Sequence, residues 1–293
     1  RESWIENKTC YDYFFKIANY GIINTPLLID IANSYDGLNR HISIIPFVAA
    51  LLGSINLPTI IHGLDEVAPK MGMTHYKILK AANKKTNKNI NDVCKDLETT
   101  NIQWGYIDQS ITFPKLYQLK KMRTEMVKRP LLATHEKLLQ PIRCQNKNYL
   151  ITGYTHTAYR ETLSKLLQSQ DQLHQSLIVR GSEGSAQLPI DRRCPYLLVN
   201  KEGIATDFIH PKTVHLSAAP PISPNYNIST EQILNEGQAA LKNTPSTTQK
   251  AILYQALSII TLFNIMPYKI AYDKIMASLA SGKAYHHWQK GMT

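Results

Sequence analysis

The residues best suited to do chemistry in this chain lie in the stretch VRGSEGS at Val179–Ser185. The apolar run Leu177-Ile178-Val179 reads as a buried strand, and it breaks into a loop with two glycines behind Arg180. Gly181 and Gly184 let backbone N–H groups approach an anion, and Arg180, Arg192 and Arg193 supply positive charge around it. That chemistry is recognition of a phosphate or another anion at the carboxyl end of a strand, where open α/β sheets hold their ligands. After the second glycine come only Ser185-Ala186-Gln187, so a magnesium-bound diphosphate finds no paired carboxylates there. A strand-to-turn junction with incidental glycines accounts for the same letters. His62 and His156, each just beyond a strand-like run, are acid/base candidates for a common cleft, although neither has a partner visible in the sequence.

The elements that must position these groups follow from periodicity. Leu27–Ile31, Pro58–Ile61, Ile102–Ile107, Tyr149–Thr152 and Leu177–Val179 read as strands. Helical spacing appears at Asp12–Asn19, Ile44–Leu52, Ile90–Leu97 and Ala158–Leu167, and Thr74 is placed to cap a helix running through Ala82. Pro114 opens a long helical pattern through Lys128, with Lys120 and Arg123 near one face and Leu116, Leu119, Met122 and Met126 on another. Such alternation predicts α/β layers around a largely parallel sheet. Beyond Cys194 the short runs Tyr196–Val199, Ala205–Ile209 and Thr213–Leu216 suit an antiparallel extension. Ala218–Pro224 reads as a linker, and Thr230–Leu241, Thr247–Phe263 and Lys269–Ser281 as amphipathic helices, the last closed by Gly282. His286-His287 then reads as a frayed, solvated helix end.

With 293 residues, 43% of them hydrophobic, the chain has ample material for a core. Thirty-three Lys+Arg against 22 Asp+Glu give +11, a balance that favours polyanionic partners. Cys10, Cys94, Cys144 and Cys194 are widely spread with no metal-ligand spacing, which predicts reduced, structural thiols and no metal site. No apolar run approaches a membrane span and no leader pattern opens the chain, so the expectation is a cytoplasmic protein without membrane contact.

Several motifs, in shared order and spacing, make the chain resemble the anthranilate phosphoribosyltransferase superfamily, and most closely its YbiB-like branch. They are SYDG at Ser34–Gly37, IHG at Ile61–Gly63, GYIDQS at Gly105–Ser110, RPLLATHEKLLQP at Arg129–Pro141, ITGYTHTAY at Ile151–Tyr159, VRGSEGS, and SGKA at Ser281–Ala284. The resemblance implies an α/β domain with a mixed, largely parallel sheet flanked by helices, over residues 23–293 with C-terminal helices. Residues 1–22 would be the remnant of a small helical domain that is mostly missing, and a homodimer would be the usual assembly. It also implies what the site has lost. Where those enzymes carry a GTGGDG loop that cradles pyrophosphate, this chain has Ala32-Asn33-Ser34-Tyr35-Asp36-Gly37, with Tyr35 crowding the anion. Where they carry HGNRS, it has His62-Gly63-Leu64-Asp65-Glu66, and their magnesium-holding Asp-Glu pair falls on Ala186-Gln187. Lys70, Glu183 and an arginine, Arg129, are retained. Arg129 is where the enzymes meet their aromatic acid, or else a helix-end arginine satisfied by local carbonyls or Glu136.

Positive charge concentrates between Lys115 and Lys147, opposed only by Glu125 and Glu136, and again over Lys77–Lys88. Two such stripes can track a phosphate backbone by counterion release, with Tyr117 and His135 as stacking candidates. The resulting expectation is a phosphoribosyltransferase-fold protein whose diphosphate and magnesium sites have eroded and whose surface binds nucleic acid, DNA first, with little sequence preference. The expected contacts are Lys120, Lys121, Arg123, Lys128 and Arg129, then Lys84, Lys85 and Arg180. A residual ligand pocket would contain Asp36, Gly37, His62, Gly63, Lys70, Arg129, His156, Arg180, Gly181 and Glu183. The competing expectation is a phosphoribosyl or related glycosyl transferase with a rearranged site that uses magnesium.

Overall fold

In the computed structural model, which describes residues 4–126, 131–220 and 228–293, alternation along the strands decides the layering. Ile29 and Ile31, Tyr149 and Ile151, and Leu177 and Val179 point into one apolar cluster, while Ala32, Leu150 and Ile178 point into another. The strands are β1 (Gly21–Ile23), β2 (Leu27–Ala32), β3 (Thr59–Gly63), β4 (Trp104–Asp108), β5 (Ile142–Cys144), β6 (Lys147–Gly153), β7 (Leu173–Val179), β8 (Cys194–Val199) and β9 (Ile204–Ile209). Among the described residues, seven form one sheet in the order β4-β3-β2-β6-β7-β8-β9, parallel as far as β7 and antiparallel beyond, while β1 and β5 pair separately. The expected mixed, largely parallel sheet flanked by helices is therefore present. Chain order runs outward from β2 to β3 on one side and from β6 to β7 on the other. Their carboxyl ends consequently diverge at the β2/β6 boundary and open a crevice there.

The larger core covers one face of the sheet. Helix Ile45–Ser54 has no charged residue, begins with Pro46 in its first turn, and is buried along its whole length. Helices Thr247–Leu262 and Lys283–Lys290 pack on it, and Trp288 meets Phe47 at a 4.6 Å ring separation and stacks on Trp104 at 5.4 Å. On the opposite face, Tyr11 and Phe14 of helix Trp4–Ile17 join Leu163, Leu166 and Leu167 of helix Tyr159–Gln168. Three expectations change. Within its described part, the Pro114–Lys128 pattern is two short helices, Pro114–Tyr117 and Lys120–Glu125; Leu116 and Leu119 pack on the core as expected, but beyond the break the faces are exchanged, with Arg123 buried and Met122 and Met126 exposed. A buried carboxylate, described below, draws the guanidinium inward. Thr213–Leu216 is not a strand, because Pro211 starts a 3-10 turn capped by His210. His286-His287 belongs to a docked helix, with His287 buried and its Nδ1 2.9 Å from the Ile102 carbonyl. The linker expected at Ala218–Pro224 passes outside the described residues from position 221.

All four cysteines are free, and burial pushes the thiols of Cys94 and Cys194 up to about 11 and about 12. That makes them poor nucleophiles at neutral pH. No helix among the described residues is long and apolar enough to cross a membrane.

Candidate functional site

A cavity of about 540 Å³ occupies the crevice at the β2/β6 boundary. Its floor comes from the loop after β2 (Ser34, Tyr35, Asp36), its walls from the loops after β6 and β7, and Lys70, Lys137 and Arg40 contribute positive charge. The chain's fit at the floor depends on missing Cβ atoms. One built on Gly153 would lie 1.8 Å from the Ser185 carbonyl oxygen, and one on Gly181 2.1 Å from it, so these glycines let the β6 and β7 loops touch. Ser34 Oγ closes the contact by donating to the Gly184 carbonyl at 3.2 Å. A second cavity, of about 390 Å³, adjoins the first along Tyr154, Thr155, Glu183 and Gly184, and carries Arg180, Arg192 and Arg193 on its rim. All three arginines are exposed; Arg192 lies 3.1 Å from Asp191, and Arg193 lies 4.4 Å from the Phe208 ring.

Beneath the first cavity runs a buried polar chain. Asp30 Oδ1 lies 2.9 Å from His62 Nε2, and the Tyr35 hydroxyl meets His62 Nδ1. The ring of Tyr35 packs with Leu64 and Val67, and Tyr117 flanks this group. Burial, with Glu136 and Asp30 nearby, raises the Tyr35 phenol well above its ordinary range, so it stays protonated. The pair His62 and His156 therefore does not share a cleft: His156 is an exposed wall residue, whereas His62 is sealed under Tyr35. Gly63 also lies within the buried end of β3. Asp36 lines the cavity with Lys70 Nζ 4.0 Å away, and Gly37 lends its carbonyl to the same lysine.

Glu183 sits with φ of 52° and accepts from the N–H groups of Asn39 and Arg40, with His41 Nδ1 3.0 Å away and Lys70 Nζ 3.6 Å away. Burial raises its pKa, but the His41, Asn39, Arg40 and Lys70 contacts prevail and hold it at about 2. Gln187 donates to the Ile42 carbonyl and accepts from the Ile44 N–H. Three carboxylates line the first cavity, and each already faces a donor or a cation: Glu183 takes the Asn39 and Arg40 N–H groups, Glu136 pairs with Arg123, and Asp36 has Lys70 Nζ 4.0 Å away, an arrangement that does not match the open paired carboxylates a magnesium–diphosphate group needs. Among the described residues, no group of three His, Cys, Asp or Glu side chains could hold a metal ion.

The expected nucleic-acid contacts separate into different fates. Arg123 is buried in a two-pronged pair with Glu136, its Nη2 3.1 Å from Oε1, and Gln109 supports the same carboxylate. Burial raises the Glu136 carboxyl and Arg123 opposes it. Lys84 is also internal, donating to the carbonyls of Trp288, Gln289 and Gly291 at the end of helix Lys283–Lys290. Neither can reach a phosphate strand. Lys120 pairs with Asp65 at 2.6 Å, while Lys121, Lys85 and Arg180 are exposed. Lys128 and Arg129 lie outside the described residues. His135 is wholly buried, with its pKa lowered by burial to about 4, and cannot stack on a base. Sequence reasoning missed Asn39, Arg40, His41 and Lys137. The first three follow the Asp36-Gly37 turn directly, and that proximity was the available signal.

The chain matches no protein-family model. An uncharacterized protein of Aquifex aeolicus is 28% identical over 188 residues, which cover 64% of this chain and 53% of that protein, so the match spans about half the length of the relative. Among solved structures, the anthranilate phosphoribosyltransferase of Thermus thermophilus superposes with a TM-score of 0.79 at 17% identity, covering 99% of this chain and 84% of that one. The Saccharomyces cerevisiae enzyme, in complex with PRPP and Mg, gives 0.74 at 14% identity over 98% of this chain and 78% of its own. The architecture is therefore that of the anthranilate phosphoribosyltransferase fold. At these identities the likeness concerns the fold alone.

Proposed function

We propose that this protein is a phosphoribosyltransferase-fold member of the YbiB-like kind, in which the magnesium–diphosphate site has been rebuilt from its own side chains and nucleic acid is bound through phosphates. The observation that carries this reading is the buried Tyr35 with its Asp30–His62 support, standing where the related enzymes carry a glycine loop. The commitment of Glu183 and Gln187 supports it from the other side of the cavity. The contact set is revised to exposed cations: Arg180, Arg192 and Arg193 around the second cavity, with Lys121 and Lys85. Recognition is by charge, since guanidinium forks match phosphate oxygens and each neutralised phosphate releases counterions. Mobility-shift titration of duplex and single-stranded DNA at two salt concentrations tests it. Charge reversal at Arg180, Arg192 and Arg193 together should weaken binding at least about tenfold and flatten the salt dependence by about one unit of slope per lost contact. Binding that is unchanged by the triple variant rejects the contact set.

One observation favours a second reading, a divergent phosphoribosyl or related glycosyl transferase: the larger cavity lies at the sheet's switch point, where α/β enzymes of this type hold their substrates. Calorimetry with phosphoribosyl pyrophosphate and magnesium separates the two. Saturable micromolar binding that requires magnesium supports the transferase, and its absence removes that reading.

A further inference from the structure

The turn after β2 presents several donors to one side chain. The Asn39 N–H lies 3.0 Å from Glu183 Oε2, the Arg40 N–H 2.8 Å from Oε1, and His41 Nδ1 3.0 Å from Oε1. Lys70 Nζ stands 3.6 Å from Oε2 and is anchored by the carbonyls of Gly37 and Glu183. Consecutive backbone N–H groups converging beside an ammonium form a set of donors suited to a phosphate group, and the carboxylate is a two-oxygen substitute for it. Glu183 reaches this position from a left-handed backbone, φ 52°, which a glutamate adopts only when its surroundings hold it there. It also lines both cavities and so stands between them. The charged end of Glu183 thus fills a set of anion donors at the junction of the two cavities.

We propose that the Asn39–His41 turn and Lys70 form an anion receptor kept closed by the chain's own Glu183 carboxylate, which an incoming phosphate group must displace. The receptor is distinct from the exposed arginines assigned to nucleic acid, so the two assignments stand or fall separately. The test is metal-free calorimetry with inorganic pyrophosphate on the wild-type chain, Glu183→Gly and Glu183→Gln. Glycine suits the left-handed backbone, and glutamine keeps the size and one acceptor while removing the charge. Glu183→Gly should bind pyrophosphate at least about tenfold more tightly than wild type, with Glu183→Gln between them. Adding Lys70→Met to Glu183→Gly should abolish the gain, and the Asn39 and Arg40 amide resonances should move during titration of the single glycine variant. Equal affinity in wild type and both variants overturns the proposal, as does a gain that survives loss of Lys70. Mobility shifts on DNA read the other assignment independently.

Discussion

Arg123 and Lys84 on one side, and Arg180, Arg192 and Arg193 on the other, are cations that look alike in a list of residues and do opposite work in the molecule. The first two are enclosed, one gripping Glu136 and the other gathering three carbonyls at the end of a helix. The other three stand in solvent around a cavity mouth. The difference teaches that net charge measures attraction for a polyanion only after the cations used internally have been subtracted. A buried cation is held by the cost of leaving its partners unsatisfied, an exposed one only by screened attraction.

That contrast can be broken or sharpened by substitution. Arg123→Ala should have the largest effect, about 3–5 kcal/mol of lost stability in urea denaturation, because Glu136 is left charged and buried. A loss below about 1 kcal/mol would show that the pair is solvated in solution. Lys84→Met should cost about 1–3 kcal/mol through the carbonyls left without their donor. Lys84 also carries a pH signature. Burial, reinforced by Lys88, brings its pKa from 10.5 to about 8. Between those values the unfolded chain holds the extra proton, so wild-type stability relative to Lys84→Met should rise as pH increases from about 8 to 10.5. A flat difference across that range would contradict the burial. Reversing Arg180, Arg192 and Arg193 should change stability least, within about 0.5 kcal/mol per site, while carrying the loss of DNA affinity expected above. Thermal melts of the triple variant check the first part, and a large drop would place those side chains inside the structure with Arg123.

Much of the architecture was legible because apolar alternation has a direct physical meaning. The strands at Leu27, Pro58, Ile102, Tyr149 and Leu177 and the helices capped by Thr74 or carried by the Ile44–Leu52 run appear close to where the spacing puts them. The break near Gln118 was not legible, since the segment's own propensities favour one continuous helix and the interruption follows from Arg123 turning toward Glu136, thirteen residues on. The candidate site was half legible. Tyr35 in place of a glycine was readable as a blockage, but its burial with His62 and Asp30 depends on β2 and β3 lying side by side. The Glu183 contact with Asn39 and Arg40 joins segments more than 140 residues apart, and no local pattern announces it. His135 and His287 were misread as solvent-facing because a histidine near a helix end gives no sign of which neighbour will cover it.

The near-parallel rings of Trp104 and Trp288, 5.4 Å apart at 7°, have an optical consequence. Both indoles are buried, so their fluorescence should shift to longer wavelength when the last helix lifts from β4 and water reaches the rings. The chain thus contains its own reporter of carboxyl-terminal docking, readable without a label.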